Sequence, residues 1–147
     1  MKVVLFQPEI PQNTGNIART CSVTQTGLAL VRPFSFSLSS RFVKRAGLDY
    51  WDDVSVEEIE DLEEFLQTTS HPFYFFSSKA EKSYTEVKYE EDSLLIFGNE
   101  TSGLPPHFLE RWPDRFITIP MKKKGRCLNL SNSVAIAIYE ALRQQRN

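Results

Sequence analysis

The sequence predicts an α/β fold: a parallel sheet covered by helices on both faces. Short apolar runs at 3–6, 28–31, 73–76, 94–97 and 116–119 are rich in Val, Ile, Leu and Phe. Continuous apolar runs of this length are the mark of strands buried on both sides. Between them lie segments with helical spacing, near 15–26, 39–46, 57–67, 105–111 and 131–145. Regular alternation of the two kinds suits parallel strands, which need long crossover connections. At 147 residues and 41% apolar composition the chain fits one domain, 1–147, with a proper core. It shows no internal repeat, low-complexity tract or linker.

Each element has a local reason. Asn13 or Thr14 is placed to cap the first helix, and Gly27 to stop it. On that helix Ile17 meets the core, and Arg19, about 200° further round, points away from it. Arg41, Lys44 and Arg45 fall at i, i+3 and i+4, on a single face of the second helix. Ile59, Leu62, Phe65 and Leu66 recur at helical spacing within a segment that holds six carboxylates, so 57–67 reads as an amphipathic helix with an acidic outer face. In the last helix Val134, Ile138 and Leu142 form one stripe with Ala137 and Ala141 beside it. Tyr139, Glu140 and Arg143 occupy the other side.

Composition narrows the function. No apolar run approaches the roughly 20 residues needed to cross a bilayer. The opening Met1-Lys2-Val3-Val4-Leu5-Phe6-Gln7 is too short, and too soon followed by Pro8-Glu9, for a secretion signal. Cys21 and Cys127 stand alone, as do His71 and His107, which suits a reducing cytosol and gives no metal site. The expectation is a cytoplasmic protein with no membrane partner and no metal. Net charge is only −2, yet removing the six carboxylates of 57–64 from the 19 acidic residues leaves 13 against 17 basic ones. The acidic helix thus dilutes positive charge in the total without cancelling it locally.

Several loops could carry chemistry. Ser93-Leu94-Leu95-Ile96-Phe97 runs into Gly98-Asn99-Glu100-Thr101-Ser102-Gly103-Leu104-Pro105, and the strand at 116–119 leads through a basic loop into Cys127-Leu128-Asn129-Leu130-Ser131-Asn132-Ser133. Twice, then, an apolar strand ends in a turn of small and polar residues, with bare main chain at the carboxyl edge of a sheet, where ligands of open α/β sheets bind. Glycines on both sides of Glu100 suit a close approach to a ligand, its carboxylate facing a cation or a hydroxyl. They suit a tight turn equally. The segment lacks the Gly-x-Gly-x-x-Gly of dinucleotide sites, and Lys122-Lys123-Lys124-Gly125-Arg126 is not a P-loop.

In Pro8-Glu9-Ile10-Pro11-Gln12-Asn13-Thr14-Gly15-Asn16-Ile17-Ala18-Arg19, Arg19 is either a phosphate clamp or a surface arginine. Arg41, Lys44 and Arg45, with the loop ending at Arg126, make two basic patches: a polyphosphate surface or merely solvated faces. Cys127 beside a binding loop is either a nucleophile or a small, adaptable residue. No base lies near it in sequence to activate it.

Taken together, these segments resemble the knotted SPOUT methyltransferases over almost the whole chain. The resemblance rests on the Pro8 to Arg19 segment, Arg45-Ala46-Gly47-Leu48-Asp49-Tyr50-Trp51, Phe97 to Pro105, and Ile119-Pro120-Met121 with Leu128-Asn129-Leu130-Ser131-Asn132. Within the superfamily the chain is most similar to the minimal tRNA (cytidine/uridine-34-2′-O)-methyltransferases, which carry no RNA-binding extension. The resemblance implies a C-terminal deep trefoil knot, S-adenosylmethionine bound bent within it as co-substrate, tRNA as partner, and a homodimer building each active site from both chains. It implies cofactor contacts at Phe76, Gly98, Ile119, Cys127 and Leu128, and catalytic or structural polar roles for Asn13, Arg19, Glu100 and Asn129. RNA contacts would fall to Arg41, Lys44, Arg45 and Arg126. Where Cys127 stands the family pattern has serine, which puts any role of that hydroxyl in doubt. The competing readings are 2′-O-methylation at another RNA site, a cysteine-dependent base methyltransferase, and a non-catalytic RNA-binding module.

Overall fold

The computed structural model describes residues 1–38, 45, 53–123 and 125–146. Its centre is a six-stranded sheet of β1 (Lys2–Phe6), β2 (Gly27–Val31), β3 (Val56–Ile59), β4 (Phe73–Phe76), β5 (Leu94–Phe97) and β6 (Phe116–Ile117). The spatial order is β3-β2-β1-β5-β4-β6, and every neighbouring pair is parallel. Helices α1 (Pro11–Thr24), α2 (Leu62–Thr68), α3 (Pro106–Arg111) and α4 (Leu130–Gln145) connect or follow the strands. No helix among the described residues is long and apolar enough to cross a membrane.

Because side chains alternate across a strand, each apolar strand feeds two cores. Val3 and Leu5 of β1, Leu28 and Leu30 of β2, and Leu95 and Phe97 of β5 pack with Ile17, Ala18 and Cys21 of α1 and with Val134, Ala137, Ile138 and Ala141 of α4. Their neighbours Val4, Ala29, Val31, Leu94 and Ile96 turn to the other face, where Leu62 and Leu66 of α2 and Phe108 of α3 cover them. Of the α4 stripe expected from sequence, Val134 and Ile138 are buried with Ala137 and Ala141 beside them, Leu142 is partly buried, and Tyr139 on the opposite side is exposed.

Four expectations need correction. The acidic segment is not one helix from residue 57. Val56–Ile59 pairs in parallel with β2 as an edge strand, with Glu57 and Glu58 bound to Lys2 and Arg32 at 2.7 Å each. The helix begins only after Asp61, whose side chain accepts a hydrogen bond from Glu64 N–H at 3.1 Å. Edge pairing to β2 outcompetes helical spacing here, as tertiary context often does. The first helix starts at Pro11, a whole turn before residue 15, because proline's fixed φ suits the first helical position. Asn13 and Thr14 therefore sit inside the helix and are buried, and Ile10 takes the capping position without a side-chain cap. That helix stops on Gln25, in the left-handed conformation at φ 54°, and Gly27 opens β2 instead. The last strand pairs only over Phe116–Ile117, and an isolated bridge between Ser83 and Thr118 extends it. The helix expected at 39–46 lies outside the described residues, Arg45 excepted, which is helical and exposed.

The topology itself selects a place for a ligand. From β1 the chain moves out to β2 on one side, whereas after β5 it moves to β6 on the other. The carboxyl ends of the adjacent β1 and β5 therefore send their loops in opposite directions. A crevice opens between such loops.

Candidate active site

A cavity of about 510 Å³ occupies that crevice. Its walls come from the turn after β1 and the start of α1 (Ile10, Asn13), the turn after β4 (Ser77, Ser78, Lys79), residues 97–104 at the end of β5 and beyond it, and Thr118, Ile119, Met121 and Cys127 to Leu130 after β6. Its size falls within the range of small-molecule sites, about 300–1,000 Å³. Phe76 and Phe97 form a stacked pair beside it, with centroids 4.5 Å apart and planes 13° from parallel. Met121 and Leu128 are more than a third exposed at its rim. Apolar side chains left open to water in this way mark a binding groove.

The glycine at the end of β5 is fixed by crowding. Residues 98–104 fold back so tightly that Asn99 and Gly103 exchange two backbone hydrogen bonds, at 3.4 and 3.3 Å. A Cβ on Gly98 would lie 2.3 Å from the Gly103 carbonyl carbon and 2.6 Å from Leu104 N, so only glycine fits. Gly103 faces open space but adopts φ +66°, which other residues take reluctantly. Asn99 clamps the turn: its Oδ1 accepts from both the N–H and the hydroxyl of Ser102, at 2.8 and 2.9 Å. Both readings of this loop meet in one structure, a tight turn that brings bare backbone to a cavity.

Within the chain, Glu100 turns to the start of α1. Its carboxylate accepts from the backbone N–H groups of Glu9 (2.8 Å) and Ile10 (3.2 Å) and from Asn13 Nδ2 (3.4 Å). These donors sit at the start of α1, whose N–H groups and positive dipole end favour a carboxylate. Asn13 passes the connection on, its Oδ1 accepting from Asn129 Nδ2 at 3.1 Å. Asn129 Oδ1 in turn caps α4, accepting from the N–H groups of Ser131 (2.9 Å) and Asn132 (3.3 Å). A single polar chain thus locks the β5 loop to the N-termini of two helices. Asn13, 6% exposed, has both ends of its amide engaged, which its burial requires.

All five residues expected at the cofactor, Phe76, Gly98, Ile119, Cys127 and Leu128, line the cavity, as do Asn13, Glu100 and Asn129. Arg19 does not. It lies further along α1, exposed, and outside the cavity that its own chain lines. Arg126 is exposed on the approach to Cys127, while Arg41 and Lys44 lie outside the described residues. Sequence reasoning missed Ser77, Ser78 and Lys79, although their position directly after a strand places them at the same sheet edge.

The two cysteines differ sharply. Cys21 is buried against the sheet, and burial pushes its thiol up to about 12. Cys127 is exposed and contacts the Ser78 hydroxyl at 3.8 Å. Brief iodoacetamide treatment of the native protein is expected to alkylate Cys127 and spare Cys21 until unfolding, because the thiolate is the reactive form. Peptide mass spectrometry reads this directly, and equal labelling of both thiols would contradict it.

The residues present suit a nucleoside carrying a sulfonium. Aromatic and aliphatic walls can hold a base, and the backbone of the tight turn 98–104 can read its edge. Comparison with known proteins points the same way. Residues 1–139 match the SpoU rRNA Methylase family. A protein of Geobacillus stearothermophilus, named as a candidate tRNA (cytidine(34)-2′-O)-methyltransferase, is 48% identical over 99% of this chain and 95% of its own. A solved structure described as structural insights into the 2-OH methylation of C/U34 on tRNA superposes with a TM-score of 0.92. It is 42% identical, over 99% of this chain and 95% of that one. An AdoMet-bound rRNA methyltransferase of Sinorhizobium meliloti is 25% identical, with a TM-score of 0.85, over 97% of this chain and 55% of its own. The family match runs from the first strand well into α4 and leaves no strand of the sheet outside it: the chain belongs to the SpoU rRNA methylase family.

Proposed function

We propose that the chain is a tRNA ribose 2′-O-methyltransferase acting on cytidine or uridine 34, with S-adenosylmethionine as methyl donor. It works in the cytoplasm as a homodimer, its C-terminal segment drawn through a deep trefoil knot. The observation that carries this reading is the cavity whose walls are the bare turn 98–104 and the returning segment 127–130, joined through Glu100, Asn13 and Asn129. The relatives' names, and the structure described for C/U34 of tRNA, support the substrate.

When bound, the donor supplies a methyl group on a positively charged sulfur, so that its departure leaves a neutral thioether. Phe76, Gly98, Ile119, Cys127 and Leu128 would hold it. The remaining tasks are alignment of a ribose hydroxyl and disposal of its proton. Glu100 and Asn13 fix the loop that orients the hydroxyl, and Asn129 braces the segment opposite. A guanidinium is a donor with no lone pair to take up a proton, so Arg19 makes a poor proton acceptor. Its role is to hold an RNA phosphate bidentately, the hydroxyl proton leaving late or through that phosphate. Since Arg19 stands outside its own chain's cavity, it meets the site across the homodimer. Exposed Val23 on α1 and exposed Ile136 and Tyr139 on α4 offer two packed helices an apolar face for a second copy.

Replacing Arg19 by lysine is expected to cut methyl transfer at least tenfold, about 1.4 kcal/mol, with S-adenosylmethionine affinity unchanged. Near-normal turnover would rule out the bidentate role. The deciding experiment incubates the protein with labelled donor and undermodified tRNA, then maps the label by nuclease digestion. Label on the 2′-oxygen of nucleotide 34 is expected. Label elsewhere reassigns the substrate position, and cofactor binding without transfer supports the RNA-binding module instead.

A further inference from the structure

Beside the cofactor cavity lies a second hollow of about 550 Å³, lined in part by Lys79, Glu81, Lys82, Leu109, Asp114 and Phe116. Lys79 borders both spaces, so whatever occupies one lies next to the occupant of the other. Five of the six are exposed, and only Phe116 is buried. An open trough of this kind suits a segment of polymer laid across it better than an enclosed small molecule.

Its framework is rigid. The turn after β4 is closed by Ala80 N–H donating to Ser77 O at 3.2 Å, and Lys79 N–H donates to the Ser77 hydroxyl at 3.2 Å. Further on, Thr118 N–H donates to Lys82 O and Tyr84 N–H to Thr118 O, each at 2.8 Å, which ties the segment to the strand beyond β6. The two lysines therefore stand on a pinned backbone. Among the described residues neither has a carboxylate within ion-pair distance, whereas Lys2, Arg32, Arg111 and Arg143 are each paired.

The chemistry is mixed in a way that a phosphate alone does not explain. Two ammonium groups attract phosphate, but Glu81 and Asp114 in the same hollow repel it. Carboxylates accept hydrogen bonds from exocyclic amino groups of bases. Leu109, 40% exposed, gives the face of a base an apolar surface. Ammonium, carboxylate and apolar surface together match a whole nucleotide: phosphate, amino edge and ring face. Single-stranded RNA is read in this manner, with unstacked bases splayed onto protein.

We propose that this second hollow receives a nucleotide flanking the methylated one, with Lys79 and Lys82 on its phosphate and Glu81 and Asp114 selecting a base that bears an amino group. The proposal rests on the RNA methyl-transfer reading above and adds a specificity site to it.

The test uses full-length protein and RNA hairpins in which each neighbour of the target nucleotide is varied in turn. Lys82→Ala is expected to weaken hairpin binding about fivefold at low salt and to reduce the slope of log affinity against log salt by about one. Wild type is expected to favour an amino-bearing base over uracil at one flanking position by about fivefold or more in kcat/KM, and Glu81→Gln with Asp114→Asn to flatten that preference. S-adenosylmethionine affinity, read by calorimetry, stays at the wild-type value in every variant and reports that the fold is intact. Wild-type enzyme that methylates RNA while the variants bind and discriminate identically overturns this proposal alone. A wild type that binds the cofactor but neither binds nor methylates RNA overturns both readings.

Discussion

Gly98→Ala is expected to lower S-adenosylmethionine affinity by about 100-fold and to reduce methyl transfer at least as much. The new Cβ would sit 2.3 Å from the Gly103 carbonyl carbon and 2.6 Å from Gly103 Cα. Both are backbone atoms and cannot swing aside, so residues 98–104 must move as a unit. A displacement near 1 Å in a positioning element costs about 10²-fold, and overpacking costs stability of about 1–3 kcal/mol. Gly103→Ala is the matched control, since it meets no atom within 4 Å and bears only the strain of φ +66°. Calorimetric titration of the two variants should rank Gly98→Ala as much the more damaging. The reverse order would show that the cavity is not shaped by the fold-back of this loop.

Glu100→Ala is expected to lower stability by about 1–2 kcal/mol, because it leaves the Glu9 and Ile10 N–H groups and Asn13 Nδ2 without their acceptor. For a domain of this size that is a fall in Tm of roughly 2–8 °C. The loss in methyl transfer should be larger than the stability loss, since Asn13 also holds Asn129 at the start of α4. Glu100→Gln keeps one acceptor oxygen and should fall between. A thermal melt and a single-turnover assay on the same preparations check both. Unchanged Tm in the alanine variant would show that the carboxylate does not organise this end of the sheet.

What the sequence reveals and what it hides divide along physical lines. The five expected strands were legible because continuous apolar runs such as Leu94–Phe97 have no other plausible home than a doubly covered sheet. The edge strand Val56–Ile59 was not, since Glu57 and Glu58 face solvent and salt-bridge outward, so it carries none of that signal. One clue was present: Asp61 followed three residues later by Glu64 is the signature of a helix start. The site was largely legible from its turns, because Gly98 and the Asn129 segment announce themselves by residue type. The partner of Glu100 was not, for it lies 90 residues away in Ile10 and 87 away in Asn13, and only the β1–β5 pairing brings them together. Arg19 shows the complementary limit. Its facing was read correctly from helical geometry, yet its exposure on this chain says nothing by itself about what it touches.

The hydrogen bond between Asn13 and Asn129 spans 116 positions of the chain. A growing polypeptide that has already formed β1, β2 and β5 still has no far wall to its binding crevice. The crevice is therefore closed only in a molecule whose α4 has seated, and retention of a ligand there becomes a signal that this late docking step is done.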